Sequence, residues 1–387
     1  MALAIFLISA MHAQPEVRSL ESFPVVEEFP DPFRFLDGRR VEVPAEWQKR
    51  RAEMIELLLS IQYGHVPPAP GNVRMTEELE SKLFFKGTVR RKQMRLTMGP
   101  GDKLATTVHL YLPQPGTGPY PLVLRFGLDR MPARMMNRKG YAYACFEHRE
   151  LDPDTEGYDV TGPAQIAYPD YDWASLAVWA WGASRVLDYL ATLPEINGEQ
   201  SVITGHSRTG KAALLAGVLD ERFALVVPNG SGCAGAGAYR GAEEGVETLK
   251  LITLPSRWKS WLHKDFGHFG DQEARLPFDQ HFMRALVAPR PVLSTDGLDD
   301  RWANPPGTQA AWMAAQPVFD FLGVEGNNLC HFRPGGHDQA PVDYKVLLDV
   351  ADHYFRGTPI STDFSALPEP HVEPTWSWQA PPARKGE

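Results

Sequence analysis

The sequence predicts an α/β fold: a mostly parallel sheet between two layers of helices (a three-layer αβα sandwich) with antiparallel strands at its N-terminal side. Three observations predict it. Short, mostly apolar runs at 121–126, 141–146, 201–204, 223–227 and 291–295 are interleaved with helix-like segments, as expected of parallel strands covered on both faces. The 387 residues, 43% hydrophobic and 22% charged, suffice for one large α/β domain with no metal or disulfide staple. The stretch 202–211, Val-Ile-Thr-Gly-His-Ser-Arg-Thr-Gly-Lys, carries a serine where a strand turns into a helix.

The chain opens with Met-Ala-Leu-Ala-Ile-Phe-Leu-Ile-Ser-Ala-Met-His-Ala-Gln. An apolar core followed by small residues reads as the end of a secretory signal peptide, cleaved after Ala13. A positive leading region is missing, so 1–13 reads as a remnant of one. Export to the periplasm or beyond is expected. The stretch is too short to span a membrane, and no other segment is a candidate. Residues 14–43 follow, rich in Pro, Glu and Phe, and read as an extended wrapping segment.

Residues 44–63 have helical periodicity, ended by Gly64, Pro67 and Pro68. Strands are expected at 84–95 and 104–112. The second sets Val108, Leu110 and Leu112 on one face and Thr107, His109 and Tyr111 on the other. Residues 172–193 predict a long helix. Leu176, Trp179, Ala180, Ala183, Leu187 and Leu190 form its buried stripe, and Asp170 or Asp172 is its expected cap. Asn197-Gly198 turns the chain into the serine strand. Residues 344–355 predict a closing helix, and the tail 358–387 is Pro-rich and irregular. Residues 236–289 hold Trp258 and Trp261 and are expected to form a cap or one wall of a cleft. No linker divides 14–387, which reads as a single domain.

The net charge of -9 and the lack of a long basic block argue against a nucleic-acid partner. Cys145, Cys233 and Cys330 lack metal-ligand spacing, and an odd count leaves at least one unpaired in a monomer. No metal or organic cofactor is expected.

Ser207 sits where the nucleophile elbow of an α/β-hydrolase would place it, with the following helix aimed at developing negative charge. The glycine usual two residues after the serine is replaced by Thr209, and Gly210 follows it. A serine nucleophile needs a base, and the base an acid. In this fold the order is Ser, then Asp or Glu, then His. Asp300, with Asp299 as alternate, follows the 291–295 strand, and His337 lies in the loop Arg333-Pro-Gly-Gly-His-Asp before the closing helix. His331 is either a packed core histidine or a rival base. The Arg208 N–H is an expected oxyanion donor, with its guanidinium as a second; the alternative is a surface arginine paired to a carboxylate. Lys211 lies one turn beyond Ser207 on the same face, either reaching substrate or simply solvated.

These residues resemble those of glucuronoyl esterases. Gly205-His-Ser-Arg-Thr-Gly-Lys211 is similar to the family's Gly-Cys-Ser-Arg-x-Gly-Lys signature, in the bacterial form with histidine before the serine. Further similar segments start at Trp179 (Trp-Ala-Trp-Gly-Ala-Ser-Arg), Ser231 (Ser-Gly-Cys-Ala-Gly), Leu276 (Leu-Pro-Phe-Asp-Gln-His), Ala285 (Ala-Leu-Val-Ala-Pro-Arg-Pro), Asp300 (Asp-Arg-Trp-Ala-Asn-Pro) and Gly335 (Gly-Gly-His-Asp). The resemblance implies an α/β-hydrolase that cleaves esters of 4-O-methyl-D-glucuronic acid, which join glucuronoxylan to lignin alcohols. It implies Ser207 as nucleophile, His337 as base and Arg208 as oxyanion stabiliser. Lys211 would hold sugar hydroxyls, Glu247 would accept one, and Trp302 would line the sugar site.

Two departures accompany the resemblance. Many members place the acid as a glutamate after the strand following the elbow; here that position is Gly230, so the role falls on Asp300. Fungal members join the nucleophile and base loops by a disulfide; here its positions are His206 and Asp338. Two other readings stay open at this point: an acetyl xylan or other carbohydrate esterase, and a weakly catalytic carbohydrate-binding protein with Trp258, Trp261 and Trp302 as sugar platforms. A monomer is expected.

Overall fold

The computed structural model describes residues 22–157, 161–242, 244–369 and 376–382. The signal-like segment and the start of the wrapping segment lie outside them. In chain order the elements are α1 (Trp47–Leu58), β1 (Arg74–Phe84), β2 (Val89–Met98), β3 (Leu104–Pro113), β4 (Tyr120–Phe126), α2 (Ala133–Arg138) and β5 (Ala142–Phe146). Then come α3 (Pro163–Ala167), α4 (Ser175–Leu190), β6 (Ile196–His206), α5 (Arg208–Leu219), β7 (Phe223–Asn229), α6 (Leu249–Thr253) and α7 (Gln280–Ala285). The last are β8 (Val292–Gly297), α8 (Pro305–Phe321), β9 (Asn328–Arg333) and α9 (Pro341–Arg356).

One sheet holds the nine strands in the order β1-β2-β3-β5-β4-β6-β7-β8-β9. From β5 to β9 the neighbours run parallel. The pairs β1–β2, β2–β3 and β3–β5 are antiparallel. This is the α/β-hydrolase architecture expected from the sequence, with antiparallel strands on the N-terminal side.

Strand side chains alternate between faces, and the core divides accordingly. Leu122, Leu124, Ile203, Val226 and Val292 enter one cluster with residues of α1, α4, α5, α7 and α8. Val123, Val202, Leu225, Val227 and Leu293 enter a second with residues of α2 and α9. The parallel part of the sheet is therefore buried on both faces, and the site is built at the C-terminal ends of its strands, where α/β sheets commonly open a crevice.

The expected helix at 44–63 is a 3₁₀ turn, α1 and a π turn (Leu59–Tyr63) in succession. The helix at 172–193 is shorter, spanning Ser175–Leu190, and its N-cap is Ala174 with no side-chain hydrogen bond. Neither Asp170 nor Asp172 caps it. Asp172 instead accepts the His65 N–H at 2.7 Å and lies 3.5 Å from His263. The strand expected at 84–95 begins later, because 85–88 make the turn of the β1–β2 hairpin.

Phe23, Phe33 and Phe35 of the N-terminal segment join the main core. Phe29 packs near Trp376, and Trp378 Nε1 donates to the Phe29 carbonyl at 2.8 Å. The described parts of both terminal segments thus cover the same flank. Among the described residues no helix is long and apolar enough to cross a membrane, and no His, Cys, Asp or Glu cluster is arranged to hold a metal.

Candidate active site

The elbow sets the position of Ser207. Strand β6 ends at His206, α5 starts at Arg208, and Ser207 lies between them at φ 57° and ψ -126°. Such a backbone is strained for a residue with a Cβ and throws the hydroxyl clear of the sheet. Close packing makes the turn: a Cβ on Gly205 would fall 2.2 Å from the Thr209 carbonyl oxygen. The threonine that breaks the usual motif has work of its own. Its Oγ1 accepts the His206 N–H at 3.0 Å and donates to the His206 carbonyl at 2.8 Å, closing the elbow. Helix α5 begins two residues earlier than Gly210, so the Arg208 N–H is a first-turn donor without an intrahelical acceptor.

Three side chains far apart in sequence meet above the sheet. His337 Nε2 is 2.9 Å from Ser207 Oγ, and His337 Nδ1 is 2.6 Å from Asp300 Oδ2. The other oxygen of Asp300 accepts the Ala303 N–H at 3.1 Å. Asp300 is buried while His337 is open to solvent. Asp299 does not reach the imidazole. Its Oδ2 accepts the Gly335 N–H at 3.0 Å and its own N–H donates to the Gly335 carbonyl at 3.0 Å, joining the acid loop to the histidine loop. His331, the rival base, is buried on β9 near Phe364, and Nδ1 has no hydrogen-bond partner among the described residues. Burial pushes its pKa down.

Arg208 projects toward the 236–289 segment. Its Nη1 lies 3.2 and 3.1 Å from the two Asp154 carboxylate oxygens. Its guanidinium carbon sits 4.8 Å from the Trp261 ring centre and 5.0 Å from that of Trp258. The two indoles stack 4.8 Å apart at 7°. The segment expected to wall a cleft therefore supplies an aromatic surface beside the elbow.

A serine–imidazole–carboxylate chain is the arrangement for acyl transfer, and comparison with known proteins narrows its context. Residues 97–323 match the family model described as "Glucuronyl esterase, fungi". The carbohydrate esterase MZ0003 of an unknown prokaryotic organism is 30% identical, over 90% of this chain and 94% of its own. The chain belongs to the glucuronoyl esterase family. The 4-O-methyl-glucuronoyl methylesterase of Phanerochaete carnosa is 28% identical over 87% of this chain and 83% of its own. Among solved structures, the carbohydrate esterase family 15 (CE15) glucuronoyl esterase of Caldicellulosiruptor kristjansonii superposes with a TM-score of 0.79. It is 31% identical, covering 94% of this chain and all (100%) of that one. A promiscuous CE15 esterase from the marine bacterial metagenome superposes at 0.76 with 28% identity, covering 87% of this chain and 99% of that one. This chain is thus a carboxylic ester hydrolase of that family.

In this chain Gly230 has φ 49°. A Cβ there would lie 3.4 Å from the His206 ring and 3.6 Å from Asp300 Oδ2. The ground in front of Gly230 is taken by Asp300 and His206. His206 Nδ1 is 2.6 Å from Asn229 Oδ1, and the Asn229 amide donates to Thr295 O and Oγ1 at 3.0 and 2.8 Å. Burial, helped by the facing His337, pushes the His206 pKa down to about 4. It stays neutral and puts no second cation beside the base. Below the acid loop, burial and the nearby Asp300 carboxylate push Asp296 up to about 8, so a second anion is also avoided at neutral pH.

Lys211 is not the solvated lysine of the alternative reading. It is buried, and its ammonium donates to Ser231 O at 2.7 Å, Cys233 O at 2.5 Å and Glu247 Oε2 at 2.5 Å. An ammonium has three donors, and here all three have protein acceptors. Its seat beneath the Trp261 ring rules out the solvated alternative. Glu247 is buried beside it, and its N–H donates to the Trp302 carbonyl at 2.9 Å. That bond ties the Lys211–Glu247 pair to the acid loop, on which Trp302 sits half-buried. Lys211→Met is expected to destabilise the fold by about 3–5 kcal/mol, since it leaves a buried carboxylate and two carbonyls without their donor. Urea unfolding measures the loss.

Sequence reasoning missed the supporting residues. Asp154 and Asn229 belong to no motif, and Arg333 opens the histidine loop without a part assigned to it. Only the clustering of acids after 146 and the polar Asn229 ending an apolar strand mark them.

Proposed function

We propose that this chain is a serine esterase hydrolysing the C6 ester of 4-O-methyl-D-glucuronic acid, the bond between glucuronoxylan side chains and lignin alcohols. The observation that carries the reading is the imidazole of His337, bonded to Ser207 on one nitrogen and Asp300 on the other, in a member of the glucuronoyl esterase family. The names of the curated relatives supply the substrate class.

His337 Nε2 takes the Ser207 proton as Oγ attacks the ester carbonyl. Asp300 holds Nδ1–H and stabilises the imidazolium. The Arg208 N–H and guanidinium receive the charge on the carbonyl oxygen. Collapse of the tetrahedral intermediate expels the alcohol, which takes the proton from Nε2. Water, deprotonated by the same nitrogen, then releases the uronate and restores Ser207. The half-buried Trp302 lines the sugar site. Glu247, fixed by Lys211, orients a sugar hydroxyl, and Lys211 acts through it. The chain acts as one catalytic domain over 14–387, as a monomer, after export.

Turnover of methyl 4-O-methyl-glucuronate beside an acetylated xylan oligomer tests the reading. The glucuronate ester is expected to be cleaved with at least about tenfold higher kcat/KM, equivalent to about 1.4 kcal/mol of transition-state discrimination. Preference for the acetyl ester overturns it. A broader ester range is the second reading, favoured by the relative described as promiscuous. Arg208→Ala keeps the backbone donor but loses the charged one. Its kcat is expected to fall by about 100- to 1000-fold with the fold retained, checked by steady-state kinetics and circular dichroism.

A further inference from the structure

The arginine that follows the nucleophile is a long side chain on a helix terminus, one-third exposed at 34%. Left to itself it would sample many rotamers, and ordering it during the reaction would add to the barrier. Here it is held from two directions. The Asp154 carboxylate takes Nη1 with both oxygens at 3.2 and 3.1 Å. The Trp258–Trp261 stack lies against the guanidinium, where the negative ring faces attract a cation.

The carboxylate is itself fixed. Asp154 is only 11% exposed, on the loop after β5, and accepts the Trp261 indole N–H on Oδ1 at 3.0 Å. One indole thus does two things: its face carries the arginine, and its N–H orients the acid that binds the same arginine. Among the described residues only Nη1 of the guanidinium is hydrogen-bonded. Nε and Nη2 have no hydrogen-bond partner among the described residues.

We propose that Asp154 is the positioning residue for Arg208, acting with the Trp261 N–H to set the guanidinium in place before substrate arrives. Asp154 touches neither Ser207 nor His337 and acts only through the arginine. The inference rests on the reading of Arg208 as an oxyanion donor. Preorganised donors act without reorganising during the reaction, so the loss should appear in kcat.

The test is a double-mutant cycle on methyl 4-O-methyl-glucuronate. Asp154→Ala is expected to lower kcat by about 10- to 100-fold with KM changed less than about twofold; in the Arg208→Ala background the same change should lower kcat by less than about twofold. Trp261→Phe, which keeps the aromatic face and loses the N–H, should give a smaller loss that also vanishes without Arg208. Equal losses with and without Arg208 overturn the proposal, because a merely structural Asp154 would act in both. Asp154→Asn keeps the shape and an acceptor for the indole, and it serves if the alanine variant does not fold. Full activity of Asp154→Asn and of a folded Asp154→Ala also overturns it. If the parent chain leaves the glucuronate ester intact, the substrate reading fails. The cycle on p-nitrophenyl acetate then decides the positioning role separately.

Discussion

Replacing Ser207 with alanine abolishes ester hydrolysis and leaves the protein folded. Loss of the nucleophile of a catalytic triad lowers kcat by about a million-fold. The fold should not notice, because the hydroxyl's one hydrogen-bond partner among the described residues is the solvent-open ring of His337. No buried group is left unsatisfied, and alanine keeps the Cβ that the φ 57° backbone already tolerates. Hydrolysis of methyl 4-O-methyl-glucuronate, fluorophosphonate labelling and thermal unfolding check the three parts. Near-parent turnover in a folded Ser207→Ala variant rejects this serine as the nucleophile.

The second large effect separates neighbouring aspartates. Asp300→Asn is expected to lower kcat by about ten thousand-fold, because an amide facing Nδ1 favours the wrong imidazole tautomer and cannot balance the imidazolium. Asp299→Asn should leave the chemistry nearly intact, since an amide oxygen still accepts the Gly335 N–H that the carboxylate holds. Its effect should fall on stability. Measuring kcat for both variants at the pH of maximal activity decides the matter: parity between them sinks the assignment of Asp300 as the acid.

Much of the fold was legible from local pattern. The buried strands β4 to β8 are apolar runs, and α4 carries an apolar stripe, so their positions follow from periodicity. What the pattern hides is equally physical. Strand β1, Arg-Met-Thr-Glu-Glu-Leu-Glu-Ser-Lys-Leu-Phe, is an almost wholly exposed edge, so burial imposes no alternation on it. Helix α8 opens with two prolines and holds Pro317 inside, which masks it as a loop. The order Ser, Asp, His could be read along the chain, whereas the choice between Asp299 and Asp300 could not. It depends on which carboxylate the β8 turn points at His337, a property of the backbone after Gly297. A Cβ on that glycine would lie 2.3 Å from the Gly335 carbonyl oxygen, so its smallness brings the two loops together. The full occupancy of the Lys211 donors was likewise invisible, since two of the acceptors are main-chain carbonyls.

The nucleophile loop and the base loop are each braced by hydrogen bonds of their own. Asn229 spans from His206 to Thr295. Arg333 grips Asp343 at 2.9 Å, the Asp338 carbonyl at 2.7 Å and the Asp338 carboxylate. Cys145, Cys233 and Cys330 are all buried and unpaired, and burial pushes each thiol up, Cys145 to about 12. No disulfide braces the site, so turnover is expected to be the same with and without dithiothreitol, which a steady-state assay in both buffers checks.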